Sequence, residues 1–591
     1  MVSDMMRNIE GRWTRDGLLL LGILGLAFAV RVWGVGFGLP YLYHADEPVV
    51  VNHALAYGSG DLNPHFFNIP PLVSYLLFVC YGIFYAVGLG TGYFHSVRDL
   101  ETLFYLDPSV FYLIARGVFG VLLGTATVGA LYRLVKRFRD AEQALLAALF
   151  LAVNFLHARD SHYLYTDIPL LLVLVSGMGV FLRIPGNSAP GVQCEEGTGP
   201  EGAGVHWLSG VMIGLAAAVK YNGIFLAVPY VWICLRTVPP SKWLTAWLAA
   251  GVGSAVTFLA LNPYALLDHG FFIKEILEQK ASNSGGMPFF HHFRYSLTGA
   301  MGAIGLAGAV LGGVRMAFSR KPVAEAMVLF VAGYFLVLVK WGQPYDRYVL
   351  PLIPFLCIAL ADMVGAINRR LTPGADLGER GTKGGRLEGV RPLLFAGLIV
   401  LVAFPPLAKI LMWDRLMARP DTRTLAKEWI ERNIPGGSAV AIDQEFHVPR
   451  LAFTPAQLEA KKENASGIQK RRVDAYLGRT RGPFYRLGFL TAEPRASRFF
   501  FAEPGVLRDL PTLRAEGFQY VVTAVTPGTE RDPFAIELKN KAVLVQAISP
   551  FRDGRVEPAF DGIILTGGPF RWKDIIARER NGYTIEIYRL R

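Results

Sequence analysis

Five short stretches gather the side chains that do acid–base and charge-stabilising chemistry. They are His44-Ala45-Asp46-Glu47-Pro48; Arg159, Asp160, His162 and Asp167; Lys220-Tyr221-Asn222-Gly223; a run holding Asp268, His269, Lys274, Glu275, His291, His292 and Arg294; and Lys340 to Tyr348, with Arg347. A positioned carboxylate takes a proton from a hydroxyl, and a cation nearby steadies a departing anion. Plainer readings stand beside this one. Asp46 and Glu47 can serve the helix that starts at Pro48. Thr166-Asp167-Ile168-Pro169 reads as an N-cap with an early-turn proline. Lys220 and Arg347 can snorkel to a membrane interface, and Arg31 suits snorkelling or helix packing better than chemistry. The adjacent His291 and His292 suit a loop better than a metal site on one helix face.

The elements carrying these stretches are apolar. Of 591 residues, 52% are hydrophobic and 18% charged, against about 25% charged in an average soluble domain. That balance excludes disorder, collagen and a coiled-coil rod. A span needs roughly 20 mostly apolar residues. Segments 16–37, 110–132, 142–158, 166–183, 207–220, 222–238, 243–262, 296–314, 323–340, 346–366 and 391–411 qualify, giving about eleven spans. The run 71–90 is a further apolar segment.

Positive loops mark the cytoplasmic side. The N-terminal arginines, Arg133 to Arg139, Arg236 with Lys242, Arg315 to Lys321, and Arg369 to Arg386 then lie inside. On this map 71–90 makes no net crossing and lies along the outer interface or re-enters. The chain from about 413 onward lies outside, and all five polar stretches collect on the outer face. The net charge of +12 suits cytoplasmic loops meeting anionic head groups, with part of it free to handle an anionic substrate.

Other signals are bland. Arg7, Arg12 and Arg15 precede Leu18–Val30 without a small-residue cleavage site, so this reads as an uncleaved first span. Of Cys80, Cys194, Cys234 and Cys357, three sit in apolar blocks, and no C-x-x-C occurs. No Walker loop or dinucleotide fingerprint supports ATP-driven pumping or nicotinamide chemistry, and nothing points to nucleic acid. Asn464-Ala465-Ser466 matches a glycosylation acceptor and reads as chance.

The pattern resembles the GT-C superfamily of membrane glycosyltransferases, and within it the protein O-mannosyltransferase and lipid A aminoarabinose transferase group. Four pieces over about 1–412 carry the likeness: Arg31-Val32-Trp33-Gly34 with His44-Ala45-Asp46-Glu47-Pro48; Asn68-Ile69-Pro70-Pro71-Leu72; Arg159-Asp160-Ser161 through Pro169; and Gly214 through Gly223 with Arg347 to Pro354. Many relatives have lysine before the Pro-Pro pair; Ile69 stands there, so Lys220 or Arg347 must take over any phosphate contact. The resemblance implies a polyprenyl-phosphate sugar donor and a lipid, glycan or protein acceptor. It implies Asp46 as general base, Glu47 and Asp167 orienting hydroxyls, and Lys220, Tyr221, Arg347, Tyr348, Arg159 and His44 around the substrate. It implies no certain cofactor; some members use a divalent metal at the acidic loop, and the sequence leaves that open.

The expected architecture is a polytopic α-helical membrane protein of the inner membrane. A GT-C-like domain, 1–412, has juxtamembrane helices and a cytoplasmic N-terminus. A soluble extracytoplasmic α/β domain, 413–591, follows. Its helix is expected at 421–433 and strands at 438–442, 520–525 and 583–590. The stretches 184–206 and 371–390 read as flexible loops. Two rivals remain. A lipid-sugar transporter or flippase places ionisable groups at the bilayer midplane with internal repeats; 243–262 carries no charge, and Arg116 is the exception. A non-catalytic scaffold would not need an acidic pair beside a lipid-accessible cation.

Overall fold

The computed structural model describes residues 14–185, 203–282, 286, 288–370, 390–443, 447–463, 465–479, 482–491, 505–558 and 572–591. Arg7, Arg12, Cys194, Asn464 and most of the loops expected at 184–206 and 371–390 lie outside them. The chain is a multi-pass helical membrane protein followed by one six-stranded sheet.

Every expected apolar segment falls on a helix. The elements are α1 (Arg15–Val32), α2 (Glu47–Ala56), α3 (Leu72–Gly90), α4 (Val97–Leu106), α5 (Ser109–Lys136), α6 (Ala141–Ala152), α7 (Phe155–Asp160) and α8 (Asp167–Phe181). They continue with α9 (Ala203–Val219), α10 (Ala227–Thr237), α11 (Trp243–Leu261), α12 (His269–Ser282), α13 (Thr298–Ala317), α14 (Pro322–Leu338), α15 (Ile353–Arg370) and α16 (Arg391–Met417). Among the described residues, six stretches are long and apolar enough to cross a bilayer, Leu72–Gly90 included. α1 carries Arg15, Asp16 and Arg31, and several other helices are shorter than a full bilayer crossing. Leu76, Val79, Ile83 and Val87 on α3, and Leu244, Leu248, Val252 and Val256 on α11, are exposed. Such stripes meet lipid rather than water.

Small residues let the helices close up. A Cβ on Gly210 or Gly214 of α9 would lie 2.1 Å from the Ala250 carbonyl oxygen or 2.3 Å from that of Ser254 on α11. Arg31 does not snorkel: it is fully buried, and its guanidinium donates to the carbonyls of Ala27 (2.7 Å) and Ala152 (3.2 Å) and to His157 Nδ1 (2.7 Å). It ties α1 to the chain around α6 and α7.

α16 runs through the boundary expected near 412. Trp413, Leu416 and Met417 are buried with Phe37, Phe155 and Tyr163, so one apolar face carries the helix onward although its sequence has turned polar. α17 (Thr422–Asn433) follows, capped by Asp421. The sheet holds β1 (Ala439–Ile442), β2 (Arg486–Thr491), β3 (Gly505–Leu507), β4 (Tyr520–Val525), β5 (Ala542–Ile548) and β6 (Thr584–Leu590) in the order β3-β2-β1-β4-β6-β5. The first four are parallel, and β6 runs antiparallel to β4 and β5.

Candidate active site

The loop from Gly34 to Asp46 links α1 to α2, and the acidic pair spans the junction, with Asp46 ending the loop and Glu47 opening α2. Asp46 occupies the N-cap position of α2 but makes no side-chain cap bond. Its carboxylate turns across the site instead, where Arg347 Nη1 donates to Oδ2 at 2.6 Å. Asp167 behaves the same way at the start of α8. Lys220 Nζ donates to its Oδ1 at 2.7 Å, and its Oδ2 is buried without a partner. Neither carboxylate is spent on its helix terminus.

Arg347 and Asp167 line one pocket with His44, Asp160, Tyr163, Tyr165 and Ile168; Asp46 and Lys220 adjoin it through their bonds to those two residues. Arg347 lies 4.7 Å from the ring centres of both Tyr165 and Tyr345. Lys220 lies 5.3 Å from Tyr165 and 5.8 Å from Tyr348. Two cations thus flank Tyr165, each tied to one carboxylate. The chain comes together here because α5 leaves room: a Cβ on Gly120 would lie 2.1 Å from the Ser161 carbonyl oxygen, so glycine admits the loop after α7.

Glu47 sits apart from the pocket. It is fully buried, its two oxygens accept from Arg116 Nε (2.8 Å) and Nη2 (2.7 Å), and the Leu164 amide donates to Oε1 at 2.9 Å. Arg116 Nη1 also donates to the carbonyls of Val35 (2.7 Å) and Phe37 (2.8 Å). This fork fastens the acidic loop to α5 and to the loop before α8, and it accounts for the one charge noted inside 110–132. Arg159 is buried and paired with Asp160 at 2.7 Å and more distantly with Asp346 at 3.8 Å. Asp346 in turn accepts from Ser296 at 2.6 Å.

Tyr221 points elsewhere. Its hydroxyl donates to the Phe67 carbonyl at 2.9 Å. Gln279 donates to the Asn68 carbonyl, and Asn63 to Asp268, both at 2.9 Å; Glu275 accepts from the Phe67 amide. Tyr221 and α12 together clamp the strand of chain leading into Pro70-Pro71. The sequence singled out neither Tyr165 nor Tyr163 for the site, although both lie between Asp160 and Asp167, where local alternation of polar and aromatic residues is the available signal.

Burial works to raise the pKa of Asp46, but Arg347, His44 and Lys220 outweigh it and hold this carboxyl below its ordinary value. Burial, with Asp167 beside it, raises Asp160 against the pull of Arg159. Burial and the neighbouring Arg347 lower Lys220, with Asp167 opposing, and burial lowers His44. Among the described residues, no three His, Cys, Asp or Glu side chains form a group able to hold a metal. The arrangement offers an ionised carboxylate, two cations for an anion, and aromatic walls.

Residues 73–270 match the family model described as dolichyl-phosphate-mannose-protein mannosyltransferase. No curated protein matches the chain. Among solved structures, the chain is similar to the oligosaccharyltransferase of Archaeoglobus fulgidus tethered with an acceptor peptide containing the NVT sequon, at 13% identity and a TM-score of 0.47 over 94% of this chain and 74% of that one. It is similar to the apo form of that enzyme at 13% identity and 0.46, over 88% and 70%. It is also similar to ArnT from Cupriavidus metallidurans bound to undecaprenyl phosphate, at 14% identity and 0.46, over 96% and 97%. The family match, confined to 73–270, agrees with the resemblance read from the sequence.

Proposed function

We propose that this chain transfers a sugar from a polyprenyl-phosphate donor to an acceptor hydroxyl at the outer face of the membrane. The carrier tail stays in the bilayer, and its head group enters the pocket of Tyr165. Arg347 and Lys220 receive the phosphate oxygens, and Asp46 is the general base. The acceptor oxygen bonds to the anomeric carbon while its proton passes to Asp46. The bond from that carbon to the phosphate oxygen breaks, and polyprenyl phosphate leaves with one more negative charge. A single displacement inverts the anomeric centre.

The observation that carries this reading is the pairing of Asp46 with Arg347 and of Asp167 with Lys220 beside one aromatic-walled pocket that Arg347 and Asp167 line. A phosphate arriving between the cations competes with both carboxylates. It draws Arg347 off Asp46, whose basicity then rises where a proton must be taken. Asp160 and Asp167 are placed to orient hydroxyls of sugar or acceptor. Glu47 acts through Arg116, holding the acidic loop rather than touching substrate.

In this reading 1–412 form the catalytic membrane domain, with the N-terminus cytoplasmic, and 413–591 lie outside the inner membrane. The flippase alternative gains little, because the buried Arg31 and Arg116 are both taken up by structural partners. Purified protein in vesicles, given defined polyprenyl-phosphate sugars and simple hydroxyl acceptors, tests the proposal. Transfer that is strongly lowered in Arg347→Gln supports it, and transbilayer movement of the donor without transfer rejects it.

A further inference from the structure

We propose that α17, at the entry to the C-terminal sheet domain, positions the general base by gripping Tyr43. This rests on the reading of Asp46 as that base, and it gives the C-terminal domain a part in catalysis.

The loop before Asp46 adopts a backbone that it would not choose alone. Leu42 has φ +56°, in the left-handed region that side chains other than glycine rarely enter. Gly38, also at positive φ, turns the chain so tightly that a Cβ there would lie 3.0 Å from the Tyr43 ring. Such a conformation persists only where its surroundings fix it from several sides.

The C-terminal domain supplies that fixing on both sides of Leu42. Tyr43 is 1% exposed, and its hydroxyl shares a hydrogen bond with Thr424 Oγ1 at 2.9 Å. The Arg423 guanidinium lies 4.0 Å from the Tyr43 ring centre. Arg423 is itself held by a fork onto Asp421, with Nε–Oδ1 and Nη2–Oδ2 both 2.8 Å. On the other side of Leu42, Lys427 lies 5.7 Å from the Tyr41 ring centre. The base is three residues beyond Tyr43. His44, between them, stacks its ring 4.6 Å from Tyr163 and accepts the Asp46 amide at Nδ1 over 3.2 Å. Movement of Tyr43 is therefore passed through a short, packed path to Asp46. A shift of about 1 Å at a reacting group costs on the order of 100-fold in rate.

The same domain makes a separate tie that does not touch this loop. Helix α18 (Gly467–Arg479) carries Arg471, which forks onto Glu101 of α4 at 2.9 and 3.1 Å. That contact serves as the control.

Tyr43→Phe and Thr424→Val each remove one hydroxyl from the full-length protein in vesicles. Each is expected to lower kcat about 10-fold at unchanged donor KM, and the double variant to fall no further than the weaker single. Amide exchange over 42–47 is expected to quicken in both singles, while Arg471→Gln leaves kcat and that exchange unchanged. The inference is overturned if the two losses multiply, if exchange over 42–47 does not move, or if Arg471→Gln lowers kcat as much as Thr424→Val. If wild-type protein transfers no sugar, the reading of the reaction fails, and the exchange measurement still decides the grip.

Discussion

Arg347 Nη1 donates to Asp46 Oδ2 at 2.6 Å, a contact closed between residues 301 positions apart. Burial disfavours the charged carboxylate, but Arg347, with His44 and Lys220, more than offsets it, so the pKa of Asp46 lies below its ordinary value. A base must be ionised to act, so the acid limb of kcat/KM should fall only below the usual carboxylate range. Arg347→Gln removes the opposing charge and leaves burial, which raises the pKa. Residual activity of that variant should therefore be lost at a higher pH than in wild type. The pH–rate profiles of the two proteins check this, and an unmoved or downward-shifted acid limb contradicts it. The stability sign follows the same way: a depressed carboxyl contributes at neutral pH, and its contribution fades as pH falls through the folded pKa.

Glu47→Gln should damage the fold more than the chemistry. It leaves Arg116 buried without a counter-charge, a loss of about 3–5 kcal/mol when one partner of a buried pair is removed. Glu47→Gln combined with Arg116→Met should recover part of this, because the unpaired charge goes too. Thermal unfolding of the three proteins in one detergent measures it. A melting temperature unchanged in Glu47→Gln would show that the pair does not brace the loop.

Lys220→Ala should weaken donor binding. A charge-assisted hydrogen bond contributes about 1.5–3 kcal/mol, equivalent to roughly 10–100-fold in Kd. Acceptor KM should move little. Titration with a non-transferable polyprenyl phosphate reads the first quantity and steady-state kinetics the second. Unchanged donor affinity removes Lys220 from the phosphate site.

Much of this arrangement was legible in the sequence, and the gaps have physical causes. Uncharged runs near bilayer length locate the helices because burying a charge in lipid is costly. Asp46, Asp167, Lys220 and Arg347 stood out as charges at or between such runs, and the structure joins them in two ion pairs beside one pocket. The bonding of Glu47 was hidden, because nothing beside it announces Arg116, which lies 69 positions on. Tyr221 carried the same local signal as Lys220, yet Lys220 is extended and Tyr221 opens the helical turn that follows, and its hydroxyl reaches Phe67. In the tail, β1, β4 and β6 are neighbours in the sheet centre and are mostly buried; they read as short runs rich in β-branched and aromatic residues. Of the flanking strands, β2 has a mixed composition such as Arg486-Leu487-Gly488 and β3 is only three residues long, whereas β5 carries a run comparable to β1 that was not singled out. The end of α16 was masked because Asp414 and Arg415 break up the apolar run while Trp413, Leu416 and Met417 keep one face buried.

The most direct test is single-turnover sugar transfer by Asp46→Asn, with the polyprenyl-phosphate donor already bound. Asparagine keeps the shape and cannot take the proton, so transfer should fall by about 10²–10⁴-fold while donor binding and the melting temperature hold; residual product should keep an inverted anomeric centre. Transfer at the wild-type rate, or a retained anomeric configuration, would contradict Asp46 as the base of a single displacement.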